Sequence, residues 1–486
     1  MSLPQILNVQ TQSSVSNMSI QTQTLDPINI SDSECVFQIP MNGILDGGSM
    51  VSLAVRTSAG VSDAFLPCKT GIFSLVKSAH LMIGSKEIAS CEDCGQYETL
   101  VSQFETPEKR SFIESVKSGR SLDRWIEVDE ASGRLIPQDL DYTTFAVDTT
   151  AAASVPPNLK PTDNDATTPV FSIPLHKLIP MMKTRSLPLF VIKENVFLRI
   201  VFQTQSATTD GTICCFPSGS GSVGTVVPSR VNIKFYSDHL YYDDNTMQET
   251  KARVYSDVGL SYQYEDTILT VAQVPASANP VAGSVAEQSV ERDIAVSGRT
   301  VRSLLVAEKF TTLADNAGVG VLGEYVSNDL MTDSSYNWRI NEQRIYDRDV
   351  SKPSHKYTEL SAVLNAPLQV PSQLYSFDVD SDKAESDRAV NQNSVYVGSI
   401  EGYQMPNGTN TVLGNDLRAS AHYLGLDLTT SGFNVLGNGT TVGSKPIILS
   451  KSYKRTNGKN QGREIRCWAS VERLITIKGG DVVVSA

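Results

Sequence analysis

The chain contains no apolar run of the roughly 18 residues that a membrane helix needs. Its longest apolar runs, such as Leu187–Ile192, are strand-sized. Its first residues, MSLPQILNVQTQSSVSNMS, carry neither a basic n-region nor a continuous apolar h-region, so no secretory signal is expected. Cysteine gives no disulfide framework. The seven residues, Cys35, Cys68, Cys91, Cys94, Cys214, Cys215 and Cys467, are an odd count, and reduced thiols are the expectation. Histidine is scarce: His80, His176, His239, His355 and His422 are scattered, and no two stand at metal-ligand spacing. No G-x-S-x-G elbow and no P-loop occur. Positive charge is in deficit, 41 Lys and Arg against 53 Asp and Glu, giving a net charge of −12 that repels phosphate backbones. The three Trp residues, Trp125, Trp338 and Trp468, form no cluster of the kind a sugar-binding face requires.

What is present is strand material. At 486 residues the chain exceeds what one core usually supports, so two domains are expected. Hydrophobic content of 40% and charged content of 19% are those of a globular protein. The 32 Gly and 22 Pro, spread along the chain, suit many strands joined by loops. The most informative stretch is 171–203, FSIPLHKLIPMMKTRSLPLFVIKENVFLRIVFQ. Within it Val196, Leu198, Ile200 and Phe202 recur at period two, against a mixed opposite side of Phe197, Arg199, Val201 and Gln203. That pattern predicts a strand with one buried face and one partly buried face.

Other strands are predicted at Cys35–Ile39, Met50–Arg56, Ser74–Ile83 and Val231–Phe235, the last passing through Tyr241-Tyr242-Asp243 into a polar connector. In the second half they are predicted at Val254–Tyr264, Ile294–Glu308, Ser335–Ile345, Asp416–Leu428, Ile447–Tyr453 and Ile465–Ile477. A helix is predicted from the cap Thr106 and Pro107 to the stop at Gly119, and a short one over Tyr97–Phe104. Residues 1–30, rich in Gln, Ser and Thr, read as an extended arm. A boundary near 245–252 divides the chain into similar halves, with no exact internal repeat between them.

Four local motifs invite chemistry. Cys91-Glu92-Asp93-Cys94 has redox or zinc spacing, but no second pair and no βαβ context accompany it; two thiols in a strand-to-helix turn is the simpler reading. Gly318–Gly323 fits GxGxxG without the strand and helix that a dinucleotide site needs, and reads as a glycine loop. Asp378–Asp382 begins like a calcium loop, but Lys383 and Ala389 stand where an EF-hand needs Gly and Glu. Lys451, Lys454, Arg455, Lys459, Arg463 and Arg466 form the basic cluster, on an expected hairpin with its tip at Thr456–Asn460. With only Tyr453 and Trp468 as aromatic neighbours, it reads as a solvated hairpin or an ion-pairing surface rather than a nucleic-acid site.

Several of these features together resemble the double jelly-roll major capsid proteins of icosahedral DNA viruses, in particular those of virophages and polinton-like viruses. They are the run from Ile173-Pro174-Leu175 through Leu187-Pro188-Leu189 to Gln203; Leu81-Met82-Ile83-Gly84 followed by the helical Tyr97–Phe104; the passage from Val231–Phe235 through Tyr241-Tyr242-Asp243; and the C-terminal order Leu417–Leu428, Gly443–Leu449, Arg463–Val484. The resemblance implies an all-β chain of two tandem eight-stranded antiparallel jelly rolls with short helical insertions in loops. They would occupy residues 31–248 and 249–486, after an N-terminal arm over 1–30. It implies a structural protein of the virion, not an enzyme, made in the host cytoplasm or nucleus. Three copies would form a pseudo-hexagonal homotrimer that tiles capsid facets beside neighbouring capsomers, penton and other minor capsid proteins. It implies no catalytic, metal or cofactor residue, no cofactor and no specific nucleic-acid site, with outer loops available to the host-cell surface. A β-sandwich protein that binds glycans or receptors is the alternative.

Overall fold

The computed structural model describes residues 18–57, 64–65, 71–102, 117–119, 126–129, 134–137, 170–203, 216–217, 226–275, 285–310, 327–328, 334–364, 394–395, 403–404, 421–422, 424–429, 439–456 and 463–485. Eight principal strands occur before residue 242: β1 (Ser19–Leu25), β2 (Glu34–Ile39), β3 (Met50–Leu53), β4 (Val76–Ile83), β5 (Lys86–Glu92), β6 (Phe171–Pro174), β7 (Val196–Phe202) and β8 (Lys234–Tyr241). They form two antiparallel sheets, ordered β1-β8-β3-β6 and β2-β7-β4-β5. Eight more follow: β9 (Leu260–Val274), β10 (Val285–Ile294), β11 (Thr300–Phe310), β12 (Ser334–Ile340), β13 (Gln343–Arg344), β14 (Leu424–Asp427), β15 (Ile447–Thr456) and β16 (Arg463–Lys478). Their sheets are ordered β9-β16-β11-β14 and β10-β15-β12-β13. The two orders coincide strand for strand: first, eighth, third and sixth in one sheet, and second, seventh, fourth and fifth in the other. Interleaving distant strands in two facing sheets in this way is jelly-roll topology, and it occurs twice.

The expected alternation at β7 holds residue by residue. Val196, Leu198, Ile200 and Phe202 are buried, Phe197 and Val201 are half-buried, and Arg199 is exposed. β7 pairs with β2 on one side and β4 on the other, which makes it a central strand. Arg199 reaches Glu34 on β2 at 2.7 Å. The two fourth-to-fifth hairpins use the same device. Gly84 at φ 58° turns β4 into β5, while Asn341 and Glu342 at φ 51° and 70° turn β12 into β13. Two-residue hairpins favour this left-handed region because its twist matches that of the strands.

Several elements depart from the expectation. Met50–Arg56 splits at Ala54 into two strands, Met50–Leu53 and Val55–Thr57. The strand expected from Val231 starts only at Lys234 and runs through Tyr241. The polar connector after it is an eleven-residue helix, α2 (Asp244–Val254), with Asp244 in its first turn and Lys251 and Arg253 in its last, matching the helix dipole. The strand expected from Val254 therefore starts only at Leu260. The strand expected over Ile294–Glu308 is β11, which starts only at Thr300; Ile294 ends β10, which carried no expectation. The helix α3 (Pro353–Leu364) carried no expectation, whereas α1 (Cys94–Ser102) includes the part of the short helix expected over Tyr97–Phe104 that lies among the described residues, through Ser102. Of the helix expected from Thr106, the described residues include only its end, where Gly119 stands at φ 68°. Part of the expected arm is a strand, since Ser19–Leu25 pairs with β8 along its whole length. The hairpin expected at Thr456–Asn460 does not exist as such: β15 and β16 lie in different sheets, and the chain crosses from one to the other.

Candidate assembly surfaces

Packing does not stop where α2 joins the two sets of sheets. The apolar core of the first sandwich includes Tyr264, Ile475, Ile477 and Val482 from the second, with Leu260 and Tyr262 against it. These residues lie on the leading half of β9, the trailing half of β16, and the C-terminal strand β17 (Asp481–Ser485), which pairs with β16. The leading half of β9 thus overhangs its own core and is covered by the other sandwich.

The polar part of this seam follows from a property of edge strands. β5 ends its sheet, so alternate backbone groups along its free side lack a ladder partner. Side chains of the second sandwich seal them in turn. The Tyr264 hydroxyl donates to the carbonyl of Ile88. The amide of Ser90 donates to Asp266 Oδ1 at 3.1 Å. Trp468 Nε1 donates to the carbonyl of Glu92 at 3.0 Å. The turn and helix after β5 extend the contact: Arg466 meets Asp93 at 3.0 Å and Gln96 Oε1 at 2.9 Å, and the Tyr97 and Trp468 rings lie 6.1 Å apart. Farther along, the Lys193 amide donates to Gly480 O at 3.1 Å and Arg185 Nε to Gln263 O at 3.0 Å. Asp266 is fully buried, and desolvation pushes its carboxyl up despite Arg473 at 3.0 Å.

A cleft of about 450 Å³ opens beside the seam, with Asp46, Gly47, His176, Lys177, Lys183 and Arg185 among its lining residues. Lys177 is paired with Glu98 at 2.9 Å.

Of the motifs singled out from sequence, Gly318–Gly323 and Asp378–Asp382 lie outside the described residues. Cys91 is the next-to-last residue of β5 and Cys94 begins α1, so the pair flanks a strand-to-helix turn, as expected. Both are free and buried, and Cys94 Sγ donates to the carbonyl of Cys91 at 3.0 Å. Hydrogen bonding to Cys94 and burial push the Cys91 thiol well up. Cys91 is therefore a thiol rather than a thiolate near neutral pH, and a thiol is a poor nucleophile. In the folded chain, a disulfide reagent such as Ellman's is expected to leave Cys91 and Cys94 unmodified for hours at pH 8, and to titrate both once guanidinium unfolds it. Rapid modification of the native protein would contradict this burial.

Two members of the basic cluster, Lys451 and Arg466, have side chains among the described residues, and both are paired within the chain; the side chains of the other four lie outside them. Lys451 on β15 is fully buried and pairs across the core with Glu308 on β11, which also accepts from the Tyr453 hydroxyl at 2.7 Å. Arg466 is spent on the seam. Four of the five histidines go to separate local bonds, His80 to Glu87, His176 to Gly47 O, His239 to Asn42 O and His355 to Glu359, and the side chain of His422 lies outside the described residues. Among the described residues, no group of His, Cys, Asp and Glu side chains is placed to hold a metal ion, and no helix is long and apolar enough to cross a membrane. The seam residues Tyr264, Asp266 and Trp468 had no sequence signal beyond the length of the apolar runs that carry them.

No protein-family profile and no curated protein sequence matches the chain. Solved structures do. A chain of the PBCV-1 virus capsid superposes with a TM-score of 0.53 at 13% identity, over 97% of both chains. A chain of the Sputnik virophage gives 0.53 at 13% identity, over 96% of this chain and 88% of that one. The Faustovirus major capsid protein gives 0.50 at 9% identity, over 95% and 91%. The fold is the double jelly roll of viral major capsid proteins. The double jelly roll is matched along nearly the whole chain, so both sandwiches belong to the correspondence.

Proposed function

We propose that this double jelly-roll chain is the major capsid protein of an icosahedral virion, a structural subunit and not an enzyme. The observation that carries the reading is the fusion of two sandwiches of identical strand order through a sealed edge, matched from end to end by capsid chains. A shell subunit needs rigid apolar sheets with hidden edges and repeated contacts, and needs no reactive groups. The two jelly rolls correspond to residues 31–248 and 249–486, the first reaching back to recruit Ser19–Leu25 as its opening strand. Three copies form a homotrimer with six sandwiches, which packs with neighbouring capsomers, penton and other minor capsid proteins, while its loops face the outside or adjoining subunits.

Mass photometry of the purified chain tests this reading. A dominant species near three times the 52.8 kDa chain mass is expected. A monomer at every concentration up to the micromolar range would overturn it.

A further inference from the structure

The last strand of the chain has a free side. β17 pairs with β16 and, among the described residues, with no other strand. Gly479 and Gly480, at φ 61° and 90°, turn β16 into it, so Lys478 and Asp481 flank a two-residue hairpin. In such a hairpin the flanking pair exchanges backbone hydrogen bonds, and bonded pairs then alternate along the ladder. Asp481, Val483 and Ser485 therefore bond to β16, while the N–H and C=O groups of Val482 and Val484 point away from it. Lys86 Nζ shows the direction by donating to Val482 O at 3.3 Å.

The side chains of the same two residues face inward. Val482 is buried and Val484 half-buried against the first sandwich, while Val483 between them is 59% exposed. Beside them lies a cavity of about 210 Å³, lined by Ile83, Lys86, Glu87, Ile88, Val482 and Val484. It is smaller than the roughly 300 Å³ at which small-molecule pockets begin. Four of its six lining residues are aliphatic. Unpaired backbone groups beside an apolar hollow suit an added strand, whose backbone pairs with the edge while alternate side chains fill the hollow.

Residues 1–17 of the same chain have the matching chemistry. They contain no Asp, Glu, Lys or Arg, so burying them desolvates no side-chain charge. Leu7 and Val9 stand at period two, with Asn8 and Gln10 on the alternate side. The reach suffices as well. Ile20 pairs with Leu240, and Leu240 with Ile44. Gly43, next to Ile44, accepts from the Phe190 amide, and Lys193 donates to Gly480 at the β17 turn. Laid end to end these links cover less than about 40 Å, whereas an extended chain from Leu7 to Ile20 covers about 43 Å.

We propose that residues 5–11 add to β17 of their own chain as an antiparallel edge strand. Leu7 and Val9 fill the hollow between β17 and the β4–β5 hairpin, Asn8 and Gln10 face outward, and Lys86 moves aside from Val482 O. Antiparallel pairing sets Val9, the nearer residue to Ile20, beside Val482, the nearer residue to Gly480. The assignment goes beyond the capsid reading and does not depend on it.

Residue-resolved hydrogen–deuterium exchange at the C-terminus tests the pairing. In the full chain, the Val482 and Val484 amides are expected to exchange at least about tenfold slower than in a chain lacking residues 2–17, with Val483 alike in both. Leu7→Asp combined with Val9→Asp should lose this protection as the deletion does, since each carboxylate would be buried unpaired. Both changes precede β1, so the contacts within the two sandwiches stay intact. Leu7→Ile combined with Val9→Ile should keep the protection. Equal exchange of the two amides in the full and shortened chains overturns the inference, and so does protection that survives both aspartates. An isotopically labelled shortened chain is also refolded in an equal mixture with the full chain. Its Val482 and Val484 should stay unprotected there; protection would place the segment on a neighbouring copy and overturn pairing within one chain.

Discussion

Lys451→Ala is expected to cost about 3–5 kcal/mol of unfolding free energy, because it takes the paired cation from a buried carboxylate. Lys451 is fully buried, and Glu308 is 1% exposed. They stand on opposite sheets of the second sandwich, so their pairing bridges the middle of the core. Removing one partner leaves the other charge in a medium that cannot solvate it, and this penalty exceeds any packing loss. Glu308→Ala should cost as much, and it also removes the 2.7 Å hydrogen bond that the Tyr453 hydroxyl donates. The pair as a whole is a different matter. Lys451→Met combined with Glu308→Gln removes both charges, keeps the volumes similar and leaves an amide oxygen for Tyr453. The double variant should lie within about 1–2 kcal/mol of the parent. Guanidinium unfolding of the four proteins checks this. Single and double variants that lose equal amounts would show that the charges are not what binds the two sheets here.

The second large effect is at Trp468. Its ring is 1% exposed and stacks near Tyr97, while its Nε1 seals the free carbonyl of Glu92 on the edge strand. Trp468→Ala empties that volume and unseals the edge, for a loss of about 3–5 kcal/mol. Trp468→Phe keeps most of the ring and loses only the donor, for about 1–3 kcal/mol, the cost of a buried acceptor left unmade. Because the loss falls on the seam, Trp468→Ala should also split a single calorimetric transition into two, one for each sandwich. A single transition with unchanged midpoint would mean that the seam does not couple them.

The strands were legible where burial is one-sided, because period-two alternation is written in the side chains. At β7 the pattern named every buried residue in advance, from Val196 to Phe202. The two-sandwich plan was legible as well, from the spacing of such runs. Connections were less so. The segment 244–254 is polar on most of its surface, with only Val254 buried, so it has no apolar stripe that marks it as a helix. Likewise, β15 and β16 flank a short Gly-containing segment, as the strands of a hairpin would, yet they pair with β10 and β12, and with β9, β11 and β17. Alternation tells which face of a strand is inward and says nothing of which neighbour lies beside it. The seam was invisible for the same reason. Tyr264 and Asp266 seal backbone groups of Ile88 and Ser90, some 176 positions away, and only the folded chain brings them together.

Negative-stain electron microscopy of the purified chain, with two-dimensional class averages, tests the central claim most directly. A double jelly-roll capsid subunit predicts a three-fold particle whose outline is nearly hexagonal, with six similar lobes. A monomer, or a trimer with three lobes, would contradict it.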